Sequence, residues 1–91
     1  TKSNNTNASL KAREGGYNTG TPSKALMMAP GFVLTQKNIA HKDIELLGWK
    51  NNEKGEKVWS FSALLGEAEA PSRIDLNENN GAMKISPIKQ N

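Results

Sequence analysis

The chain has 91 residues, 35% of them hydrophobic, with no cysteine, five aromatic side chains and a net charge of +3. That length allows one small domain with a modest core. The lack of cysteine excludes disulfide staples, thiolate metal sites and cysteine nucleophiles, and fits a reducing compartment. No apolar run approaches the roughly 20 residues of a membrane span, so no membrane-spanning segment is expected.

The positive charge is unevenly placed. Residues 1–25 hold Lys2, Lys11, Arg13 and Lys24 against Glu14 alone, whereas residues 26–91 balance eight cations with eight carboxylates. Residues 1–21 are otherwise rich in Asn, Thr, Ser and Gly, with Leu10 and Tyr17 as the only large apolar side chains. A stretch this polar buries too little surface to offset its conformational entropy. A flexible basic N-terminal arm (1–21) leading into a small β-rich domain (22–91) is therefore expected. Such an arm orders on a partner: Lys2, Lys11 and Arg13, with Lys24 just beyond, attract phosphates or carboxylates, and Leu10 and Tyr17 act as apolar anchors. The sequon matches at Asn4 and Asn7 are what chance produces in an Asn-rich tail.

Thr21-Pro22-Ser23 is a helix-start signal, with Thr21 as cap and Pro22 in the first turn, where its missing N–H costs nothing. A short helix over Ser23–Ala29 follows, stopped by Pro30-Gly31, whose turn would send Phe32–Gln36 off as a strand. Met27 and Met28 read as core filling.

The segment "LTQKNIAHKDIELLGW", Leu34 to Trp49, opens like the first helix of a helix-turn-helix DNA reader. That motif needs a small residue in its sharp turn, flanked by apolar ones. Here the turn region is His41-Lys42-Asp43-Ile44, and glycine arrives only at Gly48. A single helix from Thr35 to about His41, or a fraying strand, fits better than a bihelical reader.

"DIELLGWKNNEKGEKVWSFSALL" sets two β-rich runs around a polar loop, Asn52 to Glu56, with Gly55 free to take positive φ. Pairing Lys50 with Val58 places Trp49 opposite Trp59, Leu47 opposite Phe61 and Glu45 opposite Ala63. Leu47, Trp49, Trp59 and Phe61 then share one face as a cross-strand aromatic cluster, and Ile44, Leu46 and Val58 share the other. After it, residues 60–70 are open between strand and helix: Phe61, Leu64, Leu65 and Ala68 fall at helical spacing, and Gly66 and Pro71 limit any helix to a short one straight after the strand. "RIDLNENNGAMKIS" forms a second hairpin on a type I′ turn at Asn80-Gly81, facing Leu76 with Ile85 and Asn77 with Lys84. Ile74, Leu76, Met83 and Ile85 make its apolar side, and Pro87 marks a strand end.

The fold expected is α+β with β dominant: two antiparallel hairpins, one or two short helices and an extended N-terminal arm. The chemical inventory is sparse. His41 is the sole histidine, no Ser/His/Asp set or metal-ligand cluster can be assembled, and Gly15, Gly16 and Gly20 lack the preceding strand of a phosphate loop. No catalytic residue, cofactor, metal or small-molecule substrate is assigned. The expected role is a non-enzymatic structural or accessory subunit docking in a larger assembly, such as a virion or another nucleic-acid-containing particle, its arm ordering on neighbouring protein subunits. That role implies a cytoplasmic or virion location. The alternative is a small nucleic-acid-binding regulator, winged-helix-like or using a single-strand-binding hairpin. Lys50, Lys54 and Lys57 beside the two tryptophans join Lys2, Leu10, Lys11, Arg13, Tyr17 and Lys24 as candidate contacts.

Overall fold

The computed structural model describes residues 16–87. One helix, α1 (Lys24–Gln36), precedes four strands, β1 (His41–Asn51), β2 (Lys57–Leu65), β3 (Ser72–Asn77) and β4 (Met83–Pro87). The strands form a single antiparallel sheet in the order β1-β2-β3-β4. The described domain is α+β and β-dominant, as composition and turn signals lead one to expect.

The helix is longer than its sequence suggests. Its cap is Ser23, not Thr21: the Ser23 hydroxyl accepts from the Leu26 amide at 3.2 Å, and Pro22 lies buried just outside. Pro30 does not stop it, and Phe32–Gln36 are helical rather than extended. Proline inside a helix forfeits one backbone hydrogen bond and crowds the preceding turn. Here burial offsets that cost, because Pro30 and Leu34 are both buried against the sheet. The stop comes at Asn38, which takes a left-handed φ of 60°. The Ile39 amide bonds back to the Leu34 carbonyl at 2.9 Å and the Asn38 amide to that of Thr35 at 3.0 Å, forming a Schellman cap. The expected helix over Thr35–His41 is thus replaced by a helix end, a cap and the start of β1.

In the first hairpin the register is as expected near the turn: Lys50 faces Val58, Trp49 faces Trp59, and Gly55 has a φ of 79°. Further along, two irregularities alter it. Leu47 is an extra residue between Leu46 and Gly48, so Leu46, not Leu47, faces Phe61. The same extra residue sets Glu45 against Ser62 rather than Ala63, and a second shift between Lys42 and Glu45, where Asp43 takes φ 55°, brings Lys42 opposite Leu64. Each bulge adds one residue to β1 alone and changes which side chains reach the core. Leu46, Ile44 and Trp49 therefore pack against it together.

Residues Phe61–Leu65 continue β2 instead of forming a helix. Phe61 and Ala63 both face inward at the spacing of a strand, and Gly66, with a φ of 59°, turns the chain. The second hairpin also differs from expectation, for Leu76 faces Met83, Asp75 faces Lys84 and Ile74 faces Ile85. A five-residue connection (78–82) replaces the two-residue turn, because the Asn77 carboxamide accepts from the amides of Asn79 at 2.8 Å and Asn80 at 3.3 Å. The slip is by two residues, so Ile74, Leu76, Met83 and Ile85 still share one side. The core is Leu34 from the helix with Trp59, Phe61, Ala63, Ile74 and Leu76 from the sheet.

Candidate functional site

Two surfaces collect the side chains that could meet a partner. The first runs along the outer edge of β1. Asn18 forms an isolated antiparallel bridge with Trp49, laying Tyr17–Gly20 on that edge. The glycine at 48 makes room for it, since a Cβ there would stand 2.5 Å from the Asn18 carbonyl oxygen and 2.6 Å from the Tyr17 Cβ. Residues Tyr17–Gly20, assigned to the arm by their composition, thus lie against the sheet.

Ring–ammonium pairs lie on both faces of the sheet here, Lys50 with Tyr17 on one and Lys57 with the two tryptophans on the other. Lys50 Nζ sits 4.4 Å from the centre of the Tyr17 ring. Lys57 Nζ sits 4.4 Å from Trp49 and 5.1 Å from Trp59. A ring face attracts a cation through its quadrupole, by about 0.5–1 kcal/mol where solvent reaches the pair. The indole N–H groups are also engaged: Trp59 donates to Glu78 Oε1 at 2.8 Å and Trp49 to the Thr19 carbonyl at 3.3 Å. Trp59 is buried in the core, and Trp49 is half-buried against it. Lys54 stands apart at the hairpin tip, its amide bonded to Asn52 Oδ1. Beneath the edge lies an open cavity of about 250 Å³, whose lining includes Tyr17, Lys50, Ser60, Arg73 and Asp75. Its carboxylate is already matched, because Asp75 accepts from the Ser60 hydroxyl at 2.7 Å and lies 3.2 Å from Arg73 Nε.

At the same end of the sheet a carboxylate ties two loops together. Glu56 Oε1 accepts from the side-chain amides of Asn52 at 2.9 Å and Asn77 at 3.2 Å. Those two hydrogen bonds, Asn52 first, favour the ionised form and hold the Glu56 carboxyl below its usual range.

The second surface is the outer side of α1. Met28 and Phe32 are each 63% exposed, and Met27 43%. The core-filling role expected of Met27 and Met28 is overturned. Once the helix continues through Pro30, its phase is set by Leu26, Pro30 and Leu34 facing the sheet, and Met28 and Phe32 one turn apart face away. Lys24 lies one turn before Met28 on that exposed side. This apolar ridge escaped the sequence reading because it depends on where the helix ends.

Of the candidate contact residues, Lys2, Leu10, Lys11 and Arg13 lie outside the described residues. Tyr17 and Lys50 come together on one face of the sheet beside β1, Lys57 lies over the tryptophans on the other, and Lys24 and Lys54 join neither. His41 is half-buried, its Nδ1 3.0 Å from the Ile39 carbonyl oxygen. Among the described residues no group of three or more His, Asp or Glu is placed to hold a metal ion, and no helix is long and apolar enough to cross a membrane. The chain matches no protein-family model, no curated protein and no solved structure.

Proposed function

We propose that the chain is a non-enzymatic accessory subunit that docks in a larger protein assembly through the outer side of α1. The observation that carries this reading is the exposure of Met27, Met28 and Phe32 together on one helix. A small domain with few large apolar side chains leaves three of them in water on a rigid element. Burying such a ridge against a partner yields roughly 25 cal/mol per Å² of apolar surface. Association through a rigid helix face needs little reorganisation.

The alternative, a nucleic-acid-binding regulator, draws on Lys50, Lys57 and the two tryptophans. Stacking of bases requires open ring faces, and on this edge the protein's own lysines already lie over the rings. The edge therefore favours protein docking over base stacking.

Photo-cross-linking from position 28 or 32 of the full chain, in the cells that produce it, tests the reading. A discrete set of protein adducts that also co-purifies with the unmodified chain in fixed proportion is the expected result. Adducts to nucleic acid alone, or adducts no different from those formed at exposed Lys54, would overturn it.

A further inference from the structure

The charge around the α1 ridge indicates what kind of surface covers it. Between Glu14 and Asp43 the chain has no carboxylate side chain, while Lys24, Lys37 and Lys42 all fall in that span. Lys24 lies in the same column as Met28 and Phe32, four and eight residues before them, whereas Lys37, seven residues after Pro30, falls on the sheet-facing side of the helix end. All three lysines are exposed. From Lys24 to Phe32 the column runs about 12 Å, or two helical turns. A row of side chains at four-residue spacing is the ridge with which helices pack into one another's grooves.

We propose that α1 docks an amphipathic helix of a partner protein whose apolar stripe is bordered by carboxylates, inserting Met28 and Phe32 into that stripe and setting Lys24 against an acidic border. This rests on the docking role assigned to the same helix. A second copy of this chain is a poor occupant, because a two-fold contact on α1 would bring lysines together with no acid from either helix.

The test uses the full chain carrying ¹³C-methyl methionine. Met27 and Met28 report on the ridge, and Met83, on β4, reports on the sheet. The probe is a synthetic helical peptide of about 18 residues, roughly five turns, with a leucine stripe flanked by glutamates. Its twin has lysines in place of the glutamates. The acidic peptide is expected to shift the Met27 and Met28 signals and leave Met83 in place, with affinity falling about tenfold between low and moderate salt. Phe32→Asp should abolish the shifts and Lys24→Glu weaken binding about tenfold, each with an unchanged Met83 signal as evidence of folding. Equal binding of the lysine twin would overturn the charge assignment while leaving the docking role standing. Phosphatidylglycerol vesicles perturbing the two signals where the acidic helix does not would overturn it in favour of a lipid surface. Shifts that follow protein concentration alone would overturn it in favour of a second copy. No response to either peptide would overturn the inference, and the cross-linking experiment then decides the docking role separately.

Discussion

Asn18 and Trp49 exchange main-chain hydrogen bonds in both directions, 2.8 Å from the Asn18 amide and 3.0 Å from the Trp49 amide. This reciprocal pair is the hydrogen-bonded unit of an antiparallel ladder, made by a segment that contributes no further rungs. It is possible only because residue 48, beside Trp49, has no side chain and takes a φ of 142° that other residues rarely adopt.

Gly48→Ala should therefore destabilise the domain by about 1–3 kcal/mol, from backbone strain and from collision with the Asn18 carbonyl. In thermal unfolding this is a drop of at least roughly 5 °C for a domain this size. Gly55→Ala is the control: it carries the same kind of strained φ, but nothing lies within 4 Å of its added methyl. If both variants unfold at the same temperature, the closeness of Asn18 to Gly48 has no energetic weight.

The helix phase makes opposite statements about neighbouring residues. Leu34→Ala empties a fully buried site and should cost about 2–5 kcal/mol. Phe32→Ala removes a larger side chain but an exposed one, and should change stability by less than about 0.5 kcal/mol. Denaturant titration of the two variants decides the point, and a Phe32→Ala loss as large as that of Leu34→Ala would mean the helix is turned the other way.

Asn38 tests the helix stop. At a φ of 60°, Asn38→Gly should leave stability within about 0.5 kcal/mol of the parent, while Asn38→Val should lose about 1–2 kcal/mol because a branched side chain resists that conformation. Equal stabilities of the two, by chemical denaturation, would show that the cap does not constrain this residue.

Glu56 sets a pH dependence. Its carboxyl is held low in the folded protein by Asn52 and Asn77, so the ionised form binds its partners better than the protonated form does. The contribution is fully present above the ordinary glutamate range, near pH 4.3 in an unfolded chain, and disappears as the pH falls through the folded value. Between about pH 6 and pH 3 the melting temperature of Glu56→Gln should fall less steeply than that of the parent. Parallel curves would show that the bonds to Asn52 and Asn77 do not discriminate between the two protonation states.

How much could be read from the sequence divides along physical lines. The Trp49–Trp59 pair and the Gly55 loop were legible because turn chemistry and cross-strand alternation act over a few residues. The bulge at Leu47 was not, since one inserted residue on one strand leaves no mark in the period until a partner strand is laid beside it. The helix was misjudged at Pro30 because its local penalty is evident while the burial that offsets it comes from the sheet. Asn38 was the available signal: an asparagine after a lysine and before an apolar Ile39 is what a Schellman cap asks for. Misplacing that stop hid the ridge of Met28 and Phe32, which exists only when the helix runs past residue 32. Of the contact residues, Tyr17, Lys50 and Lys57 were picked out for charge and aromaticity. The meeting of Tyr17 with Lys50 needed the Asn18 bridge, a contact spanning about thirty residues that no local pattern encodes.

The strand order has a consequence for how the molecule is made. Every neighbour in the sheet is also the next strand along the chain, so each pairing closes only a short loop and none waits for a distant segment to arrive. Loop closure of this kind carries a small entropic barrier, and domains dominated by such nearby pairings fold fast for β proteins. A nascent chain can zip its sheet one hairpin at a time as it emerges, with α1 already synthesised and ready to cover the apolar side.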